Sequence, residues 1–165
     1  MIDDVGAAVC VDVSRVRAVG FSQGGHMAGL LGCALRDRVA AVGTVAAWTS
    51  PGFDPPWAEA DPTPLIFIVG KNDSFASPDD GYLCVGAPGC SVGSTAEEAA
   101  LWAATNGCEP EPTETNLDDG VVRWEYSCPP DAELVVFFHD GGHEWPHDPF
   151  DTSVALWEFL ATHSI

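Results

Sequence analysis

Basic residues are scarce in this chain. It has six lysines and arginines in 165 residues against 25 aspartates and glutamates, a formal charge of −19. Binding to phosphate backbones or to anionic bilayers draws on Lys and Arg, so neither nucleic acid nor membrane is expected as a partner. The acidic excess reads as a solvated surface that keeps the protein in solution. No apolar run approaches the roughly 20 residues needed to span a bilayer. The opening Met1-Ile2-Asp3-Asp4 lacks the basic start and apolar stretch of a secretory leader. There is no internal repeat and no CxxC pair, and no Cys/His cluster has zinc-finger spacing. Neither a metal nor a cofactor is therefore expected.

What is present suffices for a core. Hydrophobic residues make up 46% of the chain, and its length fits one domain over 1–165. Cysteines stand at 10, 33, 84, 90, 108 and 128. An even count with an acidic bias fits disulfides in an oxidising compartment. The alternative is a set of small buried hydrophobes, and spacing leaves any pairing open.

The chain alternates between two periodicities. Residues 1–10 read as the tail of a helix ending near Cys10. "RVRAVGF" (15–21) reads as a short buried strand, and 23–36 carries small and apolar residues at helical spacing. "VAAVGTVAAW" (39–48) is a second buried strand with its approach, and the Pro- and acid-rich 49–64 is loop. "LIFIVG" (65–70) is the clearest strand, and 74–94 is a long irregular loop. "STAEEAALWAATNG" (94–107) has a capping residue, acids in its first turn and a closing glycine, a complete helix signature. "GVVRWEYSC" (120–128) and "ELVVFFHD" (133–140) read as strands, and 148–163 as an amphipathic helix. Continuous apolar strands alternating with helices predict an α/β fold, a mostly parallel sheet covered on both faces.

At the first strand-to-helix junction stands Gly20-Phe21-Ser22-Gln23-Gly24, followed by Gly25. G-x-S-x-G alone is short, and a glycine-rich turn that happens to contain serine is the plain alternative. Its place after a strand and before a helix gives it chemical meaning. A sharp turn there strains the serine backbone and requires small neighbours two residues before and after. The hydroxyl then stands clear at the positive end of the helix, where the N–H of Gln23 can stabilise an oxyanion.

A serine nucleophile needs a histidine to take its proton and an acid to orient that histidine. On an α/β sheet these follow in the order Ser, Asp, His at strand ends. Asp73 stands just past "LIFIVG", and His143 lies in "GGHEWP" past the last strand. Asp79 and Asp80 are rivals farther from the strand end. His139 sits at the strand end and is expected to be fixed by packing. His147 follows Pro146, and His26 lies on the serine helix. His163 is expected at a solvated helix end. The run His139, Asp140, His143, His147, Asp148 raises a metal alternative, but Gly141, Gly142 and Pro146 prevent the helix that would align it.

With these pieces in place, the chain resembles the polyhydroxybutyrate depolymerase and feruloyl esterase group of α/β-hydrolases. The matching stretches are "CVDVSRVRAVGFSQGGHMAGLLGCAL", "PLIFIVGKND", "LWAATNGC" with a later "YSC", and "GGHEWP". The resemblance implies secreted carboxylic-ester hydrolysis, on polyhydroxyalkanoate-type polyester or feruloyl esters. It implies Ser22 as nucleophile, Asp73 as orienting acid and His143 as general base. It also implies Cys10–Cys33 and Cys108–Cys128 disulfides, with Cys84 and Cys90 left to close a small loop. Two positions depart from the group's pattern: Val69-Gly70 stands where His-Gly is usual, and His26 replaces an apolar residue. The strands and helices that precede the serine strand in that fold have no counterpart here. The expectation is therefore the C-terminal part of a longer enzyme. A peptidase of the same fold and a non-catalytic binding module are the competing readings.

Six tryptophans bear on substrate. Trp102 and Trp157 sit at apolar helix positions and are expected in the core. Trp145, two residues past His143, either lines a pocket or packs its loop. Trp48 and Trp57 flank the Pro-rich loop where substrate contacts would emerge, Trp48 being the stronger candidate.

Overall fold

A computed structural model describes residues 2–47, 61–75 and 93–165. In chain order the elements are α1 (Ile2–Ala8), β1 (Arg17–Phe21), α2 (Gln23–Ala34), β2 (Ala41–Val45), β3 (Leu65–Gly70), α3 (Thr95–Asn106), β4 (Thr113–Asn116), β5 (Val122–Glu125), β6 (Leu134–His139) and α4 (Thr152–Leu160). The sheet order is β1-β2-β3-β6-β5-β4. β1, β2, β3 and β6 run parallel, whereas β5 and β4 extend the sheet antiparallel. The expected α/β architecture is thus a mixed, mostly parallel sheet.

Apolar alternation divides the core into two layers. Val42, Leu65, Phe67, Leu134 and Val136 face one way and pack with Ala28 of α2 and Trp102 of α3. Ala41, Val45, Ile66 and Ile68 face the other way and meet Leu156 and Leu160 of α4. Because β2 and β3 are covered on both sides, every residue in them is buried. That is why they read as continuous apolar runs with no polar alternation. α3 has the full signature: Ser94 and Glu97 form a capping box, and Gly107 closes the helix in the left-handed region at φ 70°.

One strand stands where no element was expected, and three expectations are corrected. β4, "TETN", is wholly exposed; a polar edge strand needs no apolar face, so no periodicity announces it. Trp157 is 66% exposed, because α4 turns Leu156 and Leu160 to the sheet instead. His163 is buried, with Nδ1 3.1 Å from Glu133 Oε2. The C-terminal tail folds back on β1's approach: Arg17 Nη2 donates to His163 O at 2.9 Å and Ile165 N to Ser14 O at 3.0 Å.

The third correction concerns thiols. Cys108–Cys128 forms, tying the end of α3 to the end of β5. Cys10 and Cys33 do not pair. Cys33 faces the sheet in the α2 core layer, and burial pushes its thiol up to about 11. Cys10 is exposed just past α1, a helix with no buried residue. Cys84, Cys90, Trp48, Trp57, Asp79 and Asp80 lie outside the described residues.

Candidate functional site

Parallel register brings the three predicted residues to one rim. Phe21 is level with Val45, Val45 with Ile68, and Gly70 with His139, so the chain leaves β1, β3 and β6 at the same end of the sheet. Ser22, Asp73 and His143 lie on the three segments that follow.

Ser22 occupies the turn from β1 into α2 at φ 53°, ψ −123°. A non-glycine residue there is strained and persists only where its surroundings over-determine it. Its N–H donates to Val45 O at 2.9 Å, and its carbonyl accepts from Gly25 N at 2.9 Å and His26 N at 3.2 Å. A Cβ on Gly20 would stand 1.9 Å from Gly24 O, and one on Gly25 would stand 2.4 Å from Ala47 Cβ. A Cβ on Gly24 would meet nothing within 4 Å. The steric demand therefore falls on Gly20 and Gly25, not on both glycines of the motif. The strand end and the first helical turn touch backbone to backbone, and Gly24 contributes only its carbonyl to that contact. The Ser22 hydroxyl caps no N–H of α2 and is left for another partner. Gln23 opens the helix beside it.

Asp73 follows the "KND" turn after β3 and is 3% exposed. Its Oδ1 accepts the N–H of Phe75 at 2.7 Å, which leaves Oδ2 for histidine. The turn is sewn to the loop after β6. Lys71 N donates to His139 O at 2.8 Å and Asn72 N to Gly141 O at 3.0 Å. Asn72 Nδ2 donates to Asp140 O at 2.6 Å. Lys71, the chain's only lysine, donates through Nζ to Asp140 Oδ1 at 2.8 Å and Gly120 O at 2.5 Å. The loops lie so close that a Cβ on Gly70 would stand 2.3 Å from Gly142 O. A residue with a side chain would therefore separate them.

His143 joins the two sides. Its Nδ1–H donates to Asp73 Oδ2 at 2.9 Å, and its Nε2 accepts the Ser22 hydroxyl at 3.0 Å. Carboxylate, imidazole and hydroxyl form one hydrogen-bonded chain. Such a chain lets a serine lose its proton to the ring while the carboxylate steadies the imidazolium.

The other histidines are differently placed. His139 is buried, as expected from its strand-end position, and Nδ1 accepts the N–H of Gly141 at 3.1 Å. Burial holds its pKa below the ordinary value, against the opposing pull of Glu144, Asp73 and Asp140. His26 is half-buried on α2, and desolvation lowers it too. Among the described residues, no group of three or more His, Cys, Asp or Glu could hold a metal ion. Trp145 packs against the α4 core layer and donates from Nε1 to Ser153 Oγ at 3.1 Å.

Several participants escaped the sequence reading. Lys71, Asn72 and Asp140 hold the acid and histidine loops together. Their signal was present in a scarce cation just after one strand and an acid just after its neighbour. Phe21 and Phe75 flank the imidazole, each with its ring centroid 5.1 Å from that of His143. Phe21 is the variable residue before the serine, and nothing in the motif marks it.

No family model matches the chain. Among curated proteins it is 28% identical over 167 residues to the probable feruloyl esterase C of Aspergillus niger, covering 97% of this chain and 54% of that protein. It is 31% identical over 169 residues to the putative esterase NocK of Nocardia uniformis, covering 91% and 48%. Feruloyl esterase B of Piromyces equi is 29% identical over 174 residues, covering 99% and 30%. The chain spans about half the length of the first two relatives and less of the third. These similarities cover nearly the whole of this chain.

Proposed function

We propose that the chain carries the acyl-transfer centre of a secreted serine carboxylic-ester hydrolase of the α/β-hydrolase type. The observation that carries this reading is the imidazole of His143 bonded on one side to Ser22 at 3.0 Å and on the other to Asp73 at 2.9 Å. Ser22 Oγ attacks the ester carbonyl while its proton passes to His143 Nε2. Asp73 holds the ring in the tautomer with hydrogen on Nδ1 and stabilises the imidazolium. Negative charge gathers on the carbonyl oxygen at the N-terminus of α2, where the N–H of Gln23 and the helix dipole favour it. As the C–O bond breaks, His143 returns the proton to the leaving alcohol oxygen. Water then attacks the acyl-enzyme with His143 again as base, and the acid is released.

The names of the relatives favour feruloyl esters as substrate, with polyhydroxyalkanoate-type polyester as the second class. A secreted location accords with Cys108–Cys128, since disulfides persist in oxidising compartments. The decisive experiment is labelling with a fluorophosphonate, alongside hydrolysis of methyl ferulate, short acyl esters, hydroxyalkanoate oligomers and peptides. Wild type is expected to label and to cleave esters. Ser22→Ala is expected not to label and to lose at least about 10³-fold in kcat/KM. Equal labelling of both proteins removes Ser22 from the nucleophile role, and cleavage of peptides alone replaces the esterase reading with a peptidase.

A further inference from the structure

Two large apolar side chains stand exposed where the reaction would occur. Phe21, the last residue of β1, is 38% exposed, and Phe75, two residues past Asp73, is 53% exposed. Isolated exposed hydrophobes are ordinary. These two are not isolated from each other, because both converge on one polar ring. Phe21 is tilted 51° to the His143 imidazole and Phe75 is tilted 59°. Neither position is casual. Phe21 is carried by a strand paired along its length to β2, and Phe75 is held through its N–H on Asp73 Oδ1. Two tilted phenylalanine rings are thus in contact with the imidazole, while its two nitrogens stay bonded to Ser22 and Asp73.

From this geometry we infer that Phe21 and Phe75 bind the alcohol portion of the substrate. They make the site select esters whose alcohol presents a broad apolar face. This rests on the ester-hydrolase reading. The proton that His143 takes from Ser22 must go to the departing alcohol oxygen, so that oxygen has to come within hydrogen-bond reach of Nε2. The group attached to it then lies along the flank of the imidazole, against the two phenylalanine rings. The oxyanion of the proposed mechanism is bound separately, at the start of α2. Apolar contact at such a place discriminates between alcohols by about tenfold or more.

The test uses two ester series on the whole chain. One holds the acid fixed and varies the alcohol through methyl, cyclohexyl and benzyl butanoate. The other holds methanol fixed and varies the acid. Wild type is expected to prefer benzyl over methyl butanoate in kcat/KM by about tenfold. Phe21→Ala and Phe75→Ala should each erase most of that preference and leave the order of the acid series unchanged. Phe21→Leu and Phe75→Leu, which keep an apolar face, should retain an intermediate preference, and they carry the comparison if an alanine variant folds poorly. Deacylation supplies the readout that a purely structural role would move. The alcohol has left by then, so the rate of butanoyl-enzyme hydrolysis should be the same for every ester and change less than about twofold in the variants. An equal fall for all esters, or a matching fall in deacylation, overturns the assignment and makes the rings mere supports for the imidazole. A wild type without the alcohol preference also overturns it. Inertness of the wild type toward every ester overturns the hydrolase reading as well, which separates the two failures.

Discussion

On the serine side of the site, backbone meets backbone. Gly20 and Gly24 are in contact with no room for a Cβ at Gly20, Gly25 abuts Ala47, and Ser22 is bonded to Val45 from the neighbouring buried strand. On the histidine side, backbone meets backbone only where Gly70 abuts Gly141 and Gly142, and the rest of the join between the two loops is polar. Lys71 bridges to Asp140 with 34% and 67% of the two side chains exposed, and Asn72 reaches the same loop. The two ends are only 3.0 Å apart where Ser22 meets His143. Packed backbone holds a position at high cost to any change of shape, because interiors are nearly incompressible. Exposed hydrogen bonds and ion pairs hold a position weakly and respond to salt and to pH. The serine end should therefore fail by steric damage in an all-or-none way, and the histidine end should loosen by degrees.

The sharpest test of that contrast uses two glycines four residues apart. Gly20→Ala places a methyl 1.9 Å from a backbone oxygen, so the strand end or the helix must move. The expected loss is about 3 kcal/mol or more, together with loss of fluorophosphonate labelling. Gly24→Ala meets nothing within 4 Å and replaces glycine in the first turn of α2. It should gain up to about 1 kcal/mol. Urea unfolding of both variants reads the difference directly. Equal destabilisation by the two would remove the distinction between the motif's glycines.

The histidine end predicts a smaller and graded response. Asp140→Ala removes the Lys71 partner at the loop after β6. An exposed pair of this kind contributes less than about 1 kcal/mol to stability. Because the loop carries His143, kcat/KM should still fall by about three- to tenfold. Raising salt from about 0.05 to about 0.5 M should bring the wild type toward the variant. Lys71→Arg, which keeps the charge, should restore most of the activity that Lys71→Met loses. A large stability loss in Asp140→Ala, with activity per folded molecule unchanged, would show that the clasp supports the fold and not the imidazole.

The same contrast explains what could be read from the chain. Strand ends next to buried apolar runs are legible, so Ser22, Asp73 and His143 could be picked out from order and position. "LIFIVG" and the capped α3 were legible for the same reason, since burial on two faces and helix capping each leave a local pattern. The serine turn was legible in kind but not in detail. The demand on Gly25 depends on where Ala47 lies, a fact about packing between distant segments, whereas the demand on Gly20 comes from the first turn of the helix that follows it. The Lys71–Asp140 clasp spans 69 residues, and Phe21 and Phe75 come together only through the fold. Trp157 and His163 were misplaced because helical spacing shows which residues share a face but not which face the sheet covers. The relation between Cys33 and Cys10 likewise turned on the direction in which α2 presents its thiol.

The smallest effect concerns acid, and it should reach the histidine end first. His139 lies beneath the loop that carries His143, with Nδ1 accepting from Gly141 and a buried Nε2 that has no partner among the described residues. Its nitrogens therefore suit the neutral ring, and burial lowers its pKa in the folded protein. His163 is lowered by burial as well, and its Nε2 is also without a partner among the described residues. In the unfolded chain both rings titrate near about 6.5. Below that value the unfolded state binds protons that the folded state resists, so stability falls as pH falls. The contribution is fully present above the unfolded pKa, and its loss is complete below the lowered folded values. Thermal unfolding from about pH 8 to about pH 5 should show this decline, and His139→Gln should flatten part of it. Protonating His139 Nδ1 also removes the acceptor for the Gly141 amide. Hydrogen exchange at Gly141 and Gly142 should then speed up in mild acid while the Ser22 and Gly25 amides stay protected. Simultaneous loss of protection at both ends would mean that the site opens as one unit, and the division between a packed serine end and a polar histidine end would not hold.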